Sequence, residues 1–329
     1  MTRMDTFDDW GPSATVETLR GRARRIAVIR AFFAARDVLE VETPTLGHGG
    51  STDAHLDSLS LLATTSAGRE RLWLQTSPEF AMKRLLAAGI GSIFQLARSF
   101  RDGEVGARHN LEFTMLEWYR PGLALDALID ECDALIRDVL ERDPGPLTRR
   151  RYRDLFRERL AVDPFTTPLE TLRQRAERHG ELPMQDADRE TCLDLLMSLV
   201  IEPELGRHGV EAIVDYPAAQ AALARRRIDP EDGVEVAARF EIYLQGLELA
   251  NGYDELVDAD EQAARFAADN RQREAMGKPM VDVDSRLVAA LEAGMPAGSG
   301  VALGVDRLIQ LALGKDTVAE VMAFSTPRC

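Results

Sequence analysis

Cysteine is scarce: Cys132, Cys192 and Cys329 are the only thiols in 329 residues, an odd and widely spaced set with no C-x-x-C pair. That excludes a disulfide framework and a cysteine zinc site, and it fits a reducing compartment. Long apolar runs are missing as well; nowhere do about 18 apolar residues stand together, so no membrane span is expected. The opening MTRMDTFDDWGPSATVETLR carries acids and lacks the basic-then-apolar order of a secretion signal. A cytoplasmic protein is expected. Positive charge is the third shortage. Forty Lys and Arg against fifty-five Asp and Glu leave a net charge of -15, a poor match to a polyanion, whose binding leans on basic surface. The five histidines, His48, His55, His109, His179 and His208, have no metal-ligand spacing, and no Ser, His and Asp order suggests a hydrolase triad.

What is present suffices for a large core: 45% of residues are hydrophobic and 29% charged. Residues 16 to 37 put Leu19, Ile26, Ile29, Phe32 and Phe33 near one face, which predicts a helix. VLEVETPTL follows, an alternating segment closed by Pro44, and then the Gly-rich loop GHGGSTDAH. Strands are expected at RLWLQTS, SIFQLARSFR and LEFTMLEWYR, with a helix at PEFAMKRLLAAG. A 3.6-residue stripe from Leu125 to Val139 makes Cys132 a core residue. Residues 143 to 235, rich in Arg, Glu and Pro, predict mostly helical pieces joined by turns. Strands resume at RFEIYLQGLELANG, helices cover 258 to 276 and 283 to 293, and SGVALGVDRLIQLALG ends as strand, glycine and helix. Without regular βαβ alternation or a linker, the expected class is α+β, one domain on an antiparallel sheet.

Three segments concentrate chemistry. In FEIYLQGLELANGYDE, a two-residue turn at Gln245 and Gly246 sets Tyr243 opposite Glu248 and Glu241 level with Ala250. Glu241 and Glu248 then share a face as diagonal neighbours, roughly 7 to 8 Å apart. On a buried face two carboxylates repel unless a cation such as Mg2+, also held by nucleotide phosphates, lies between them; on a wet face each is simply solvated. In SFRDGEVGARHNLEFTMLEWY, Arg101 ends an apolar strand, which suits a guanidinium aimed at phosphate, although a surface Arg is the commoner outcome. Farther on, Glu117 and Tyr119 share one strand face, either as a socket for an amine or as a half-exposed pair. In GSGVALGVDRLIQLALG, Gly304 turns a strand into a helix with Arg307 in the first turn, a weak phosphate signal on its own.

Taken in order, the apolar segment ending in Pro44, the F-R strand with its polar loop and the terminal G-x-x-x-G-x-D-R resemble motifs 1, 2 and 3 of class II aminoacyl-tRNA synthetases. TSPEFAMKRLL, RHNLEFTMLEWY, GLELANGYDEL and GVALGVDRL are similar to the lysyl branch, and more so to its short paralogues that lysylate elongation factor P. The similarity runs from about Gly21 to the C-terminus. It implies a class II catalytic domain over residues 21–329 after a lead of residues 1–20, an antiparallel sheet flanked by helices, and a homodimer through the segment around Pro44. It further implies ATP and Mg2+, adenylation of (R)-β-lysine or lysine, and elongation factor P as acceptor. By motif matching, Arg101, Asp102, Gly103, Glu104, His109, Asn110, Phe113, Glu248, Leu249, Gly304 and Arg307 form the ATP site. Within that set Arg101 takes the α-phosphate, Phe113 the adenine and Arg307 the γ-phosphate end. Glu241 and Glu248 bind magnesium. Arg101, Arg307 and Glu248 are the catalytic group, and Ser77, Pro78, Glu79, Glu117, Tyr119, Asn251, Glu255 and Ala302 match the lysine pocket. Three carboxylates there suit a substrate with two ammonium groups, whereas an aspartyl-type pocket needs a cation.

The synthetases proper carry an N-terminal anticodon-binding domain, and only a short polar lead precedes the first helix here, so no tRNA anticodon recognition is expected. The charge agrees with that. Gly103 stands where the family usually has Glu, and Glu104 replaces it only if Gly103 bends the strand. Leu111 replaces a frequent Pro. Ala302 replaces the Gly of lysyl-tRNA synthetases, adding a methyl group that favours a repositioned amine such as that of β-lysine. Two further readings stay open: an enzyme activating α-lysine for another acceptor, and a catalytically silent regulatory paralogue.

Overall fold

A computed structural model describes residues 10–180 and 184–329; the first nine residues of the expected lead lie outside them. The strands are β1 (Leu39–Glu40), β2 (Leu46–Gly47), β3 (Ser60–Thr65), β4 (Gly68–Leu74), β5 (Ile93–Phe100), β6 (Glu112–Pro121), β7 (Leu147–Arg151), β8 (Val210–Pro217), β9 (Arg226–Ile228), β10 (Glu235–Leu244), β11 (Leu247–Asp254) and β12 (Gly298–Gly304). The helices are α1 (Val16–Ala34), α2 (Glu79–Ala87), α3 (Leu125–Leu140), α4 (Tyr152–Leu160), α5 (Leu169–Glu177), α6 (Arg189–Leu196), α7 (Ala259–Ala275), α8 (Ser285–Gly294) and α9 (Val305–Ala312). Nine strands form one sheet in the order β1-β5-β6-β12-β11-β10-β8-β7, with β9 beside β10; β2, β4 and β3 form a second. The class is α+β, as expected.

Alternation along the central strands gives the sheet two unlike faces. Leu116, Trp118, Phe240, Ile242, Val301 and Leu303 face α1, α3 and α9, in a core that also contains Cys132. There the Phe33 ring stacks on Phe94 at 4.4 Å. The residues between them in sequence face the other way. On that side α4 to α6 pack at one end, over Ile213, Tyr216 and Tyr243, and α2 and α8 pack at the other, over Ile93 and Tyr119. Between these two apolar clusters the sheet is left bare, and the bare part is the floor of a cleft.

Two expectations need correction. The stretch 143 to 235 is not wholly helical: it contributes β7, β8 and β9, because short runs such as VEAIVDYP alternate for a strand inside an otherwise polar, helix-rich segment. Nor is the sheet purely antiparallel, since β1 joins β5 and β7 joins β8 in parallel at its two edges. A third difference shapes the site. The turn is at Gln245 and Gly246, both at positive φ (56° and 70°) as a two-residue hairpin turn requires, and Tyr243 faces Glu248. One step farther the register slips, so that Ile242 pairs with Ala250 and Glu241 with Asn251 rather than with Ala250. The extra residue of this bulge lets Leu249 and Ala250 both enter the core. It also turns Asn251 and Tyr253 to the same face as Glu248, where all three line the cleft.

Candidate active site

The cleft measures about 1140 Å³ and runs from α2 across β6, β12, β11 and β10 to the start of α9. Its deep end is acidic. Glu117, from β6, accepts hydrogen bonds from the Ser77 hydroxyl and, at 2.9 Å, from the Tyr119 hydroxyl. Ser77 also receives the Glu79 amide at 3.0 Å, fixing the first turn of α2 behind the Pro78 cap. Glu255 follows β11 across the floor. Lys83 lies between the remaining acids, its Nζ 2.6 Å from Glu79 Oε1 and 2.6 Å from Glu255 Oε2. Burial, with Glu79's charge adding to it, pushes the Glu117 carboxyl up to about 8. Burial likewise raises Glu255 to about 8 against the pull of Lys83. Carboxyls raised this far hold protons at neutral pH that an incoming cation would displace. Gly300 lies beneath it; a Cβ there would overlap Glu255 Oε1 and the Tyr119 ring. Ala302 sits opposite both Glu117 and Asn251.

Arginines line the other end. Arg101 stands at the end of β5, its guanidinium 5.2 Å from the Phe113 ring centroid, and its buried Nε has no hydrogen-bond partner among the described residues. Arg307 is aimed by its helix: Asp306 accepts the Thr114 amide at 2.7 Å and Arg22 at 2.6 Å, tying the first turn of α9 to β6. From there Arg307 donates to the Glu248 carbonyl at 2.9 Å and to His109 Nε2 at 2.7 Å. Because a guanidinium has no acceptor, that nitrogen of His109 is unprotonated. Burial and the Arg307 charge lower the His109 pKa in the same direction. Gly103 adopts φ 76°, and the bend returns Glu104 to within 3.8 Å of Arg101 and 3.9 Å of His109. Gly103 thus forms a turn just past the end of β5.

Glu241 and Glu248 meet on the cleft face between the two ends. Glu241 is buried, and accepts hydrogen bonds from Tyr216 and Tyr243 at 2.6 Å each and from Arg239. The wet-face alternative is therefore wrong for Glu241; Glu248 is at the rim, with its side chain 36% exposed. Desolvation in the cleft, then Glu241's charge, raise Glu248. Burial and the same pair push Glu202 up to about 7. A cation between these acids would relieve that repulsion. No group of three or more metal-ligating side chains is assembled among the described residues, so such an ion would need oxygens from its substrate.

Most of the predicted residues therefore converge: Ser77, Glu79, Arg101, Glu104, His109, Asn110, Phe113, Glu117, Tyr119, Glu241, Glu248, Asn251, Glu255, Ala302, Gly304 and Arg307 all line one cleft. Four stand differently. Asp102 caps the Gly103 amide and, like Gly103 and Pro78, is not part of the lining. Leu249 reaches the cleft while its side chain is core. Asn110, on the cleft wall, also anchors its loop: its side-chain NH2 donates to the Glu112 carbonyl at 2.7 Å and its Oδ1 accepts from the Thr326 amide at 2.9 Å. The sequence reading missed Lys83, Arg239 and Glu202. Lys83 had a signal, standing four residues after Glu79 on a predicted helix; Glu202 had none.

An acidic end and an arginine end thus face each other across one cleft on the sheet, and comparison with known proteins places the chain in a family. Residues 8–328 match the model of tRNA synthetases class II (D, K and N), and the chain belongs to that family. Among curated proteins it is 49% identical to "Elongation factor P--(R)-beta-lysine ligase" of Mannheimia succiniciproducens over 317 residues, 96% of this chain and 97% of that one. Proteins of the same name from Histophilus somni (strain 2336) and Pasteurella multocida are 47% and 48% identical, with 98% and 96% of this chain and 99% and 97% of theirs covered. No helix among the described residues is long and apolar enough to cross a membrane.

Proposed function

We propose that this ligase activates (R)-β-lysine or lysine with ATP and passes the acyl group to a lysine ε-amine of elongation factor P. One observation carries the reading: three carboxylates, Glu79, Glu117 and Glu255, converge at the closed end of a cleft whose other end presents Arg101 and Arg307. Two substrate ammonium groups fit the first set, and a triphosphate fits the second. The unpartnered Nε of Arg101 supports an anion there. The names of the relatives support the acceptor and the amino acid.

In the proposed reaction the substrate carboxylate attacks the α-phosphorus of ATP and pyrophosphate leaves; no general base is needed, because a carboxylate is already a nucleophile. Arg101 and Arg307 bear on the charge that develops on the phosphates, and the fixed ends of β5 and α9 preorganise them. Glu241 and Glu248 would hold magnesium, which supplies charge neutralisation on the phosphates. Phe113, beneath Arg101, offers its face to the adenine. In the second step the acceptor amine attacks the acyl carbon, AMP leaves, and the amine nitrogen sheds its proton. Ala302, opposite Glu117 and Asn251, narrows the floor where the amine sits and supports β-lysine.

The proposal extends to one catalytic domain over residues 21–329, cytoplasmic, and to a homodimer around Pro44. Exposed Leu39, Leu46, Leu61 and Leu62 on β1 to β3 support an interface there. Incubation with ATP, β-lysine and elongation factor P should add one lysyl mass to the factor. A charged tRNA product, or unmodified factor despite adenylate formation, would overturn the acceptor.

A further inference from the structure

Lys83 is the one buried cation at the acidic end, 1% exposed, and one of only three lysines in a chain with 40 basic residues. A buried charge is costly unless its partners require it. Here it covers Glu79 Oε1 and Glu255 Oε2 and leaves the opposite oxygens free, with Glu255 Oε1 lying over Gly300 in the cleft floor. Once an incoming diamine has displaced the protons, three acids against this one ammonium leave two negative charges, equal to the two amines of a lysine. Without Lys83 the three acids face only one another.

We propose that Lys83 is a positioning residue for amine recognition: bridging Glu79 Oε1 and Glu255 Oε2, it holds the two carboxylates apart and leaves their far oxygens, with Glu117, turned to the cleft as an acidic socket. This rests on the lysine-activating reading above and deepens it. Lys83 also repels the incoming amines, but it lies 2.6 Å from each acid, whereas an amine seated on the far oxygens is separated from it by the carboxylate. Attraction therefore exceeds repulsion, since coulombic energy falls with distance. An Arg would not substitute freely: its planar fork is larger than the compact ammonium that fits between two carboxylates. The groups facing Lys83 are Glu79 of its own helix and Glu255 after β11; Glu117 and Tyr119, from β6, bear on those two acids, and Asp254 adds to the field on Glu255. The neighbours of α2 on α7 and α8 in the adjoining cluster are apolar: Phe266, Leu287 and Leu291.

The test is amino-acid-dependent exchange of pyrophosphate into ATP, with Lys83→Met, Lys83→Gln and Lys83→Arg, between pH 6.5 and 9. The expected result for Met and Gln is a lysine KM raised about 10- to 100-fold at pH 7, an ATP KM within about twofold of wild type, and recovery of the lysine KM toward pH 9 as the acids ionise. Arg should recover part of the lost affinity through its charge. Equal lysine KM values for wild type and Lys83→Met across the range would overturn the assignment. So would loss of folding in both neutral variants, judged by thermal unfolding, which would make Lys83 a stability residue alone. Absence of lysine-dependent exchange in the wild-type enzyme overturns the activation reading first, so the two failures are distinguishable.

Discussion

Raising the pH should tighten lysine binding to the empty enzyme. Glu117 and Glu255 are both pushed up to about 8, by burial first and then by neighbouring carboxylates. Seating two ammonium groups against them requires both to be ionised. Below pH 8 each carboxyl that must shed its proton costs ~1.4 kcal/mol per pH unit. The dissociation constant should then fall about tenfold per unit between pH 6 and 7.5 if one acid limits binding, and up to about 100-fold per unit if both do. The ligand's side-chain amine titrates near ~10.4 and stays charged throughout. Calorimetry with lysine and with β-lysine, each in two buffers of different ionisation enthalpy, reads affinity and proton release together. A dissociation constant that is flat or rises over this interval, with no proton released, would refute the reasoning. Stability should move the opposite way. Each acid binds a proton in the folded protein between its unfolded pKa of ~4.3 and its folded value, so unfolding free energy falls as pH rises through that window. Lysine should accordingly raise the melting temperature more at pH 8 than at pH 6.

Other perturbations separate the ends of the cleft. Arg307→Ala and Glu248→Gln should each cut pyrophosphate exchange at least ~10²-fold, the scale of losing one preorganised transition-state contact, while lysine binding measured without ATP stays near wild type; near-normal exchange in both would refute the phosphate assignment. Gly300→Ala places a methyl group onto Glu255 Oε1 and the Tyr119 ring, on a central strand that cannot retreat. It should raise the lysine KM at least tenfold with little change for ATP, which steady-state kinetics would show. Phe33→Ala removes a buried ring stacked on Phe94 and should cost about 3–5 kcal/mol in denaturant unfolding.

What the sequence discloses and what it hides follow from range. The turn at Gln245–Gly246 is legible because a two-residue connection between alternating segments has few geometries. The bulge beyond it is not, since Leu249 and Ala250 look like ordinary strand residues until packing draws both inward. Glu117 and Tyr119 are readable as a pair from strand periodicity alone. Their conversion into a proton-holding socket is not, because it depends on burial and on Glu79 and Glu255, which come from α2 and from just past β11. Glu202 reaches the cleft from a stretch whose composition carries no chemical signal. The bond by which Asn110 closes its loop against Thr326 is hidden too, because its partner stands 216 residues away.

The most direct test is pyrophosphate exchange by the wild-type enzyme across a panel of β-lysine, lysine, norleucine, aspartate and asparagine. Exchange with β-lysine or lysine and none with norleucine, which lacks the second amine, is the predicted result. Exchange driven by aspartate or asparagine, or equally well by norleucine, would contradict the claim that paired buried acids select a doubly charged substrate.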